Sequence, residues 1–320
     1  MSNHFIQKIE IDTFKCFTKF KADSFKQVNL IGGKNNIGKT ALLEACFINV
    51  HAQDTATFLY AMHGIKYMRE NLNFLGKKES ATLAFIEQCN QLLIKSNINT
   101  SSFQVQEKEG IKEYTLEFNG KKASITNVVS GLTFNEIHSI QFIDNFGLNN
   151  NDIADNYSYV QKNDSESKLN EILNNFDPSI EFFKIINKKP QCKVNGKYLE
   201  ITELGDGTRH LVSIITSFFA AEDGYLFIDE IDNGIHYSQL ENIWDIILSL
   251  SKTLNVQVFS TTHSKECIEA FNRAQKKEND IESAYFELAK NIKTDKIFMR
   301  DLDIDQLDYE LTHQGSYRGE

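Results

Sequence analysis

Gly33-Lys34-Asn35-Asn36-Ile37-Gly38-Lys39-Thr40 satisfies the pattern G-x-x-x-x-G-K-[ST] at every constrained position. Before it, Gln27-Val28-Asn29-Leu30-Ile31 is an apolar run that predicts a buried strand. After it, Ala41-Leu42-Leu43-Glu44-Ala45-Cys46-Phe47 is rich in helix formers. Strand, glycine loop and helix is the setting in which this pattern cradles phosphate. Gly33 and Gly38 permit a tight turn whose successive N–H groups point inward as an anion nest. The helix that begins there adds the positive end of its dipole. On this reading Lys39 reaches the β- and γ-phosphates of a nucleotide and the Thr40 hydroxyl ligates Mg²⁺. The candidate nucleotide contacts are Gly33, Lys34, Asn35, Asn36, Ile37, Gly38, Lys39, Thr40 and Ala41. A glycine turn that matches by chance is the plainer alternative, and the flanking pattern argues against it.

A second element completes the first. Tyr225-Leu226-Phe227-Ile228 reads as a buried strand, and Asp229 and Glu230 emerge at its C-terminal end, where α/β sheets place ligands. Asp229 is the candidate Mg²⁺ ligand, and Glu230 the residue that polarises the attacking water. Leu204-Gly205-Asp206-Gly207-Thr208-Arg209 opens a helix through Phe219, so its backbone N–H groups offer a second anion site. His263 ends the strand Val256-Gln257-Val258-Phe259-Ser260 within a polar Thr261-Thr262-His263-Ser264 run, placed to hydrogen-bond a γ-phosphate or the attacking water.

Between these motifs the pattern changes several times. Residues 5–11 alternate as a strand, and Phe14, Phe17, Phe20 and Phe25 read as core. Residues 55–75 and 81–98 carry apolar residues at helical spacing. Residues 103–106, 111–118 and 122–129 predict short strands, with Asn119-Gly120 as a hairpin turn. Residues 139–143 predict another. Residues 148–164, rich in Asn, Asp and Ser, predict a mobile loop or linker. Residues 169–176 predict a helix, and 182–186, 191–194 and 197–201 strands joined at Asn195-Gly196. Helices are expected over 237–250 and 265–277, and strands near 284–288 and 296–300. Asp301-Leu302-Asp303-Ile304-Asp305 mimics a metal-binding acid pair but is expected to be a charged turn.

The order of motifs resembles ABC-type ATPases. Ile9-x-Ile11-x-x-Phe14-Lys15 and the form of the phosphate loop resemble the SMC and recombination-repair head branch. Leu204 to Arg209, Ile228-Asp229-Glu230-Ile231-Asp232-Asn233-Gly234-Ile235-His236 and Gln257-Val258-Phe259-x-Thr261-Thr262-His263-Ser264 resemble the OLD-like ATPases most closely, a bacterial group often tied to phage defence or DNA transactions. The likeness covers about residues 1–50 and 165–310. It implies a P-loop NTPase of α/β class, ABC/SMC-head-like, with a mixed sheet. Residues 1–320 would form a single ABC-type ATPase domain carrying an inserted α+β lobe over approximately 52–165. It also implies two heads dimerised head to tail around two ATP molecules. Gly205, Asp206, Gly207 and Thr208 of one subunit would cap the γ-phosphate held by the other. Asp232 resembles a loop that reports across the dimer, and Lys15 a basic position near the nucleotide. The capping loop reads Gly-Asp-Gly rather than the transporter Ser-Gly-Gly, which points away from transporters. No glutamine is assignable to the loop that links nucleotide to lobe.

Composition narrows the function. Hydrophobic residues make up 41% and charged residues 24% of 320, a globular balance. The net charge of −10 argues against coating nucleic acid non-specifically. Five cysteines without a C-x-x-C give neither a zinc site nor a disulfide framework. Residues 1–5 hold no signal-peptide apolar core and no run approaches the ~18 apolar residues of a membrane helix, so no membrane partner and a cytoplasmic location are expected. Asn187-Lys188-Lys189-Pro190 lacks the acid of a guanine motif, so ATP is preferred to GTP. The expected activity is Mg²⁺-dependent ATP hydrolysis with Glu230, His263 and Lys39 as catalytic residues, in a homodimer or a higher assembly that gates a separately encoded nuclease or toxin effector. Two rivals stand beside it. One is a scaffold in which bound ATP is structural. The other is a DNA-binding head, for which Lys184, Lys188, Lys189, Lys193 and Lys197 form a local patch that also reads as the solvated face of a hairpin.

Overall fold

Alternation builds the first strand: Ile9, Ile11 and Phe14 are buried and Glu10 and Asp12 exposed along β1 (Ile9–Phe14). The computed structural model describes residues 5–69, 91–108, 110–126, 134–278 and 280–313. After β1 come β2 (Phe17–Ala22), β3 (Val28–Gly33), α1 (Lys39–His51), α2 (Thr55–Arg69), β4 (Gln91–Ser96), β5 (Thr100–Lys108), β6 (Ile111–Phe118) and β7 (Lys121–Thr126). Next are β8 (Ile140–Ile143), α3 (Asn150–Lys162), α4 (Glu166–Phe176), β9 (Ile180–Ile186), β10 (Lys189–Val194), β11 (Lys197–Glu200), α5 (Asp206–Ala220) and β12 (Tyr225–Ile228). The chain ends with α6 (Leu240–Leu254), β13 (Gln257–Thr261), α7 (Lys265–Lys277), β14 (Ser283–Lys290), β15 (Ile297–Leu302) and α8 (Ile304–Thr312). No helix among the described residues is long and apolar enough to cross a membrane.

Two compact units divide the chain. The first comprises Met1–Phe25, Asn36–Ile137 and Leu288–Arg300, and the second Lys26–Asn35, His138–Glu287 and Asp301–Glu320.

The first unit holds an antiparallel sheet in the order β2-β1-β4-β5-β6-β7. Helix α1 is buried on nearly all sides. Its Asn49 accepts from Ser96 Oγ at 2.6 Å and donates to the Asn99 carbonyl at 3.0 Å, while Asn99 Nδ2 donates back to the Asn49 carbonyl at 2.9 Å. This closed polar ring ties α1 to the β4–β5 turn without leaving a buried amide unmatched. The helix expected over 81–98 is not what the described part adopts. Residues 91–96 form β4, with Leu92 and Ile94 buried in alternation and the strand paired on both sides by β1 and β5. Three consecutive apolar residues fit either period, and ladder pairing decides. Residues 81–90 of that stretch, the end of the 55–75 helix and residues 127–129 of the expected strand lie outside the described residues.

The second unit is built on parallel strands in the order β3-β13-β12-β8, with β14 on the far side of β3. Its strands are mainly apolar, as strands covered on both faces must be, and the buried polar exceptions include Asn29, Gln141, Gln257 and Ser260. The core cluster includes Leu30, Leu226 and Val258 from the strands and Leu211, Ile215, Trp244, Ile247 and Phe271 from the helices. A separate antiparallel sheet runs β11-β10-β9. The loop expected over 148–164 is instead helix α3. Asn149 caps it, its side chain accepting from the N–H groups of Asn151 and Asp152. The buried stripe is Ile153, Asn156, Tyr157 and Val160, a helical period hidden because one position is polar. Asn156 is satisfied there by Gln141 Oε1 at 2.9 Å and Ser217 Oγ at 3.2 Å. The turn expected over 301–305 does not form: Asp301 and Leu302 end β15, and Asp303 caps α8 directly, accepting from the Gln306 N–H at 2.8 Å.

Two predictions follow from close packing and burial. A Cβ on Gly224 would overlap the Ser139 carbonyl oxygen, whereas one on Gly64 meets nothing within 4 Å. Gly224→Ala is expected to lower unfolding free energy by more than about 2 kcal/mol, and Gly64→Ala in α2 to raise it by about 0.5–1 kcal/mol; urea unfolding measures both. Burial also pushes the His51 and His210 imidazoles down to about 4. An unfolded imidazole titrates near 6.5, so the unfolded state takes up the extra protons. That stability is complete above about pH 6.5 and is lost as the pH falls towards about 4. Denaturation midpoints should therefore drop across that window, with a shallower fall in His210→Gln.

Candidate functional site

The phosphate loop leaves β3 through Gly33 at φ 136° and passes Asn36 at φ 59° to Gly38 at φ 109°. Lys34, Asn35 and Asn36 are exposed, Ile37 and Thr40 are partly exposed, and Lys39 and Ala41 are buried. Gly38 is the N-cap of α1 and offers no side-chain cap, so nothing on that residue competes for the first-turn N–H groups. The glycine is required there on two counts. Its φ is left-handed, and a Cβ would sit 2.6 Å from Cys16 Sγ and 3.3 Å from the Phe17 ring. Lys15, in the same β1–β2 turn as Cys16, forms an ion pair with the buried Glu44 of α1. The sequence-derived basic position is thus anchored to the helix that the phosphate loop opens.

In the second unit the C-terminal end of β12 lies between β13 and β8. The Asp229 N–H donates to the Ile143 carbonyl at 2.9 Å. Thr261 Oγ1 donates to Asp229 Oδ1 at 2.6 Å and accepts from the Glu230 N–H at 2.9 Å. Glu230 is left-handed at φ 50°, a costly conformation for a non-glycine residue. Its carboxylate faces His263, with Oε1 3.6 Å from Nδ1, beyond direct hydrogen bonding. Thr262 Oγ1 donates to Asp232 Oδ1 at 2.6 Å, and the Thr262 N–H donates to the Ile31 carbonyl of β3 at 3.1 Å. The polar residues that end and follow β13 are each engaged: Thr261 orients Asp229, Thr262 orients Asp232, and His263 faces Glu230.

The 205–208 loop packs on the turn that follows these acids. Gly205 at φ 94° is the N-cap of α5 and supplies no side-chain cap. A Cβ on Gly207 would meet the Gly234 carbonyl oxygen at 2.7 Å, and one on Gly234 would meet Asp206 Cβ at 2.8 Å. The two glycines let two backbones touch. Gly205 and Asp206 are exposed, and Thr208 is buried at the start of α5. Arg209 reaches back from α5 with Nε and Nη2 donating to the Leu148 carbonyl at 3.0 and 2.8 Å, and Asn233 Nδ2 donates to the Asn145 carbonyl.

Asp144, at the end of β8, escaped the sequence reading. Burial raises its carboxyl above the ordinary range, against a lowering hydrogen bond from the Phe146 N–H, and the nearby Asp229 charge raises it further. No spacing rule marks it. The only signal was that residues 139–143 predicted a strand, whose C-terminal end in a parallel sheet is where functional groups gather. Thr261 and Thr262 carried a clearer signal as polar residues ending an apolar strand.

The chain is similar to several known proteins. Residues 127–269 match the family described as an AAA domain, putative AbiEii toxin, of type IV toxin–antitoxin systems, a span that includes the 205–208 loop, the β12 acids and His263 but begins after the phosphate loop. An "ATP/GTP phosphatase" of Helicobacter pylori (strain ATCC 700392 / 26695) is 26% identical over 327 residues, covering 84% of this chain and 88% of that protein. An SMC head bound to the C-winged helix domain of ScpA superposes with a TM-score of 0.54 at 13% identity, covering 93% of this chain and 98% of the other. An SMC head with an extended coiled coil, bound to the C-terminal domain of ScpA derived from Pyrococcus furiosus, gives a TM-score of 0.51 at 12% identity, covering 97% and 99%. The chain has the fold of SMC-head P-loop ATPases, α/β with mixed sheets.

Proposed function

We propose that this protein is a Mg²⁺-dependent ATPase of the OLD-like ABC type, working as a head-to-tail homodimer whose cycle gates a separately encoded effector in anti-phage defence. The observation that carries the reading is the Thr261 hydroxyl, which holds Asp229 and the Glu230 N–H together at the end of β12. A plain strand end with two solvated acids has no need of such a clamp. The similarity to an ATP/GTP phosphatase over most of both chains supports nucleotide hydrolysis.

The residues fit the ligand. The left-handed Gly33, Asn36 and Gly38 form the kind of nest that receives phosphate, and the uncapped start of α1 adds N–H donors. Lys39 and Thr40 open that helix, Lys39 to neutralise β- and γ-phosphate oxygens and Thr40 to ligate the ion. Mg²⁺, when bound, spreads the charge that develops on the transferred phosphoryl group. Asp229, oriented by Thr261, would hold the ion directly or through water. Glu230 accepts a proton from the attacking water, and His263 holds that water or the γ-phosphate oxygen from the other side. Residues 205–208 present the uncapped start of α5, and they serve the γ-phosphate bound by the other subunit. Asp232, fixed by Thr262, reports across the dimer.

Lys39→Ala is expected to abolish ATP binding in a filter or fluorescence assay. Glu230→Gln should bind ATP with Mg²⁺, turn over at least about a hundred-fold more slowly, and shift to a dimer in native mass spectrometry. Turnover at the wild-type rate would remove Glu230 from its role, and a mass insensitive to nucleotide would favour the scaffold alternative. Thr261→Val should retain ATP affinity while losing about 10–100-fold in turnover, since it removes orientation rather than a reacting group.

A further inference from the structure

The β9–β11 sheet buries one face and leaves the other open. Ile180, Phe183 and Cys192 enter the core. On the opposite face the register sets Phe182, Lys193 and Tyr198 in one rung, and Lys184, Gln191 and Glu200 in the next. Phe182 is 48% and Tyr198 40% exposed, so two rings stand in water on either side of a lysine. Lys193 Nζ lies 5.8 Å from the Phe182 ring centroid.

The local charge opposes that of the whole molecule. Residues 180–200 carry five lysines against two glutamates, a balance of +3 in a chain of −10. Lys193 pairs with Glu181 at 2.8 Å and Lys189 with Glu200 at 2.5 Å. Both are surface pairs that a phosphate group can exchange at little cost. Lys184, Lys188 and Lys197 are exposed and form no ion pair among the described residues. Rings alone would suit any apolar partner, and lysines alone any acid. A sheet face that alternates the two suits a chain alternating flat bases with phosphates. A duplex hides its base faces in the stack, and an acidic peptide leaves the rings unused.

We propose that this open face binds single-stranded nucleic acid, with bases stacked on Phe182 and Tyr198 and the phosphate backbone following Lys184 and Lys193. The site is independent of the ATPase assignment, because none of these residues belongs to the nucleotide machinery.

Fluorescence anisotropy of the full chain with short labelled single strands of DNA or RNA, and with a duplex of equal length, tests the proposal. Either single strand is expected to bind at least about ten-fold tighter than the duplex, and the two arms tell DNA from RNA. A Phe182→Ala, Tyr198→Ala double variant should weaken binding by at least about ten-fold with basal ATPase activity unchanged. Lys184→Ala should reduce the slope of log affinity against log salt by roughly 0.7. The proposal is overturned if no single strand binds, if the double aromatic variant binds as the wild type does, or if duplex or polyglutamate competes as well as the single strand.

Discussion

One hydroxyl at the end of β13 fixes the geometry on which the candidate chemistry depends. Thr261 Oγ1 gives its proton to Asp229 and its lone pair to the Glu230 N–H, while its carbonyl accepts from the Ile231 N–H at 3.0 Å. Three successive residues of the β12 exit are thus read off one residue of the neighbouring strand. The left-handed turn at Glu230 costs about 1–2 kcal/mol, and the bonds from the Glu230 and Ile231 N–H groups to Thr261 contribute about 0.5–1.5 kcal/mol each. The clamp is therefore large enough to hold the turn in place. A valine there would keep the strand and lose the arrangement.

Close backbone approach extends this control beyond the acids. Gly207 and Gly234 place the start of α5 directly on the turn after Glu230. Arg209 and Asn233 then both hold carbonyls of the stretch that leaves β8, at Leu148 and Asn145. Each contact joins a different pair of segments, so displacing the 205–208 loop strains both the acid turn and the β8 exit. In a molecule whose interior is packed to crystal density, such a set moves together rather than piecemeal. His210 sits within the same arrangement, buried and held neutral, where a charge would be costly.

The elements that present the candidate site residues were legible in the sequence, and several segments between them were not. Gly38 is legible because its φ and its lack of space beside Cys16 both demand glycine. The β12 acids are legible because a parallel strand buried on both faces must be apolar until it ends. Helix α3 was not, since Asn156 occupies its buried stripe and its partners, Gln141 and Ser217, are distant in sequence. β4 was not, because Leu92, Leu93 and Ile94 fit either period and only its neighbours β1 and β5 choose. In both cases the deciding interaction is long-range, and local propensity is silent about it. The threonines lie between these extremes: polar residues closing an apolar strand were visible, but not which acid each would hold.

Electrostatics at the end of the parallel sheet bear on the proposed pairing of phosphate ligand and cation. Asp144, Asp229, Glu230 and Asp232 all leave strands or turns at this edge, and the Asp229 charge already helps to raise the Asp144 carboxyl. A bare polyphosphate approaching them would meet like charge at short range, where water screens poorly. The Thr261 and Thr262 hydroxyls cannot cancel that repulsion, because each neutral donor only redistributes a carboxylate's charge. Mg²⁺ takes one or two carboxylates and fills its remaining sites with phosphate oxygens and water. Under the proposed function, such an ion would convert the acids from a barrier into a holding point for the phosphate chain.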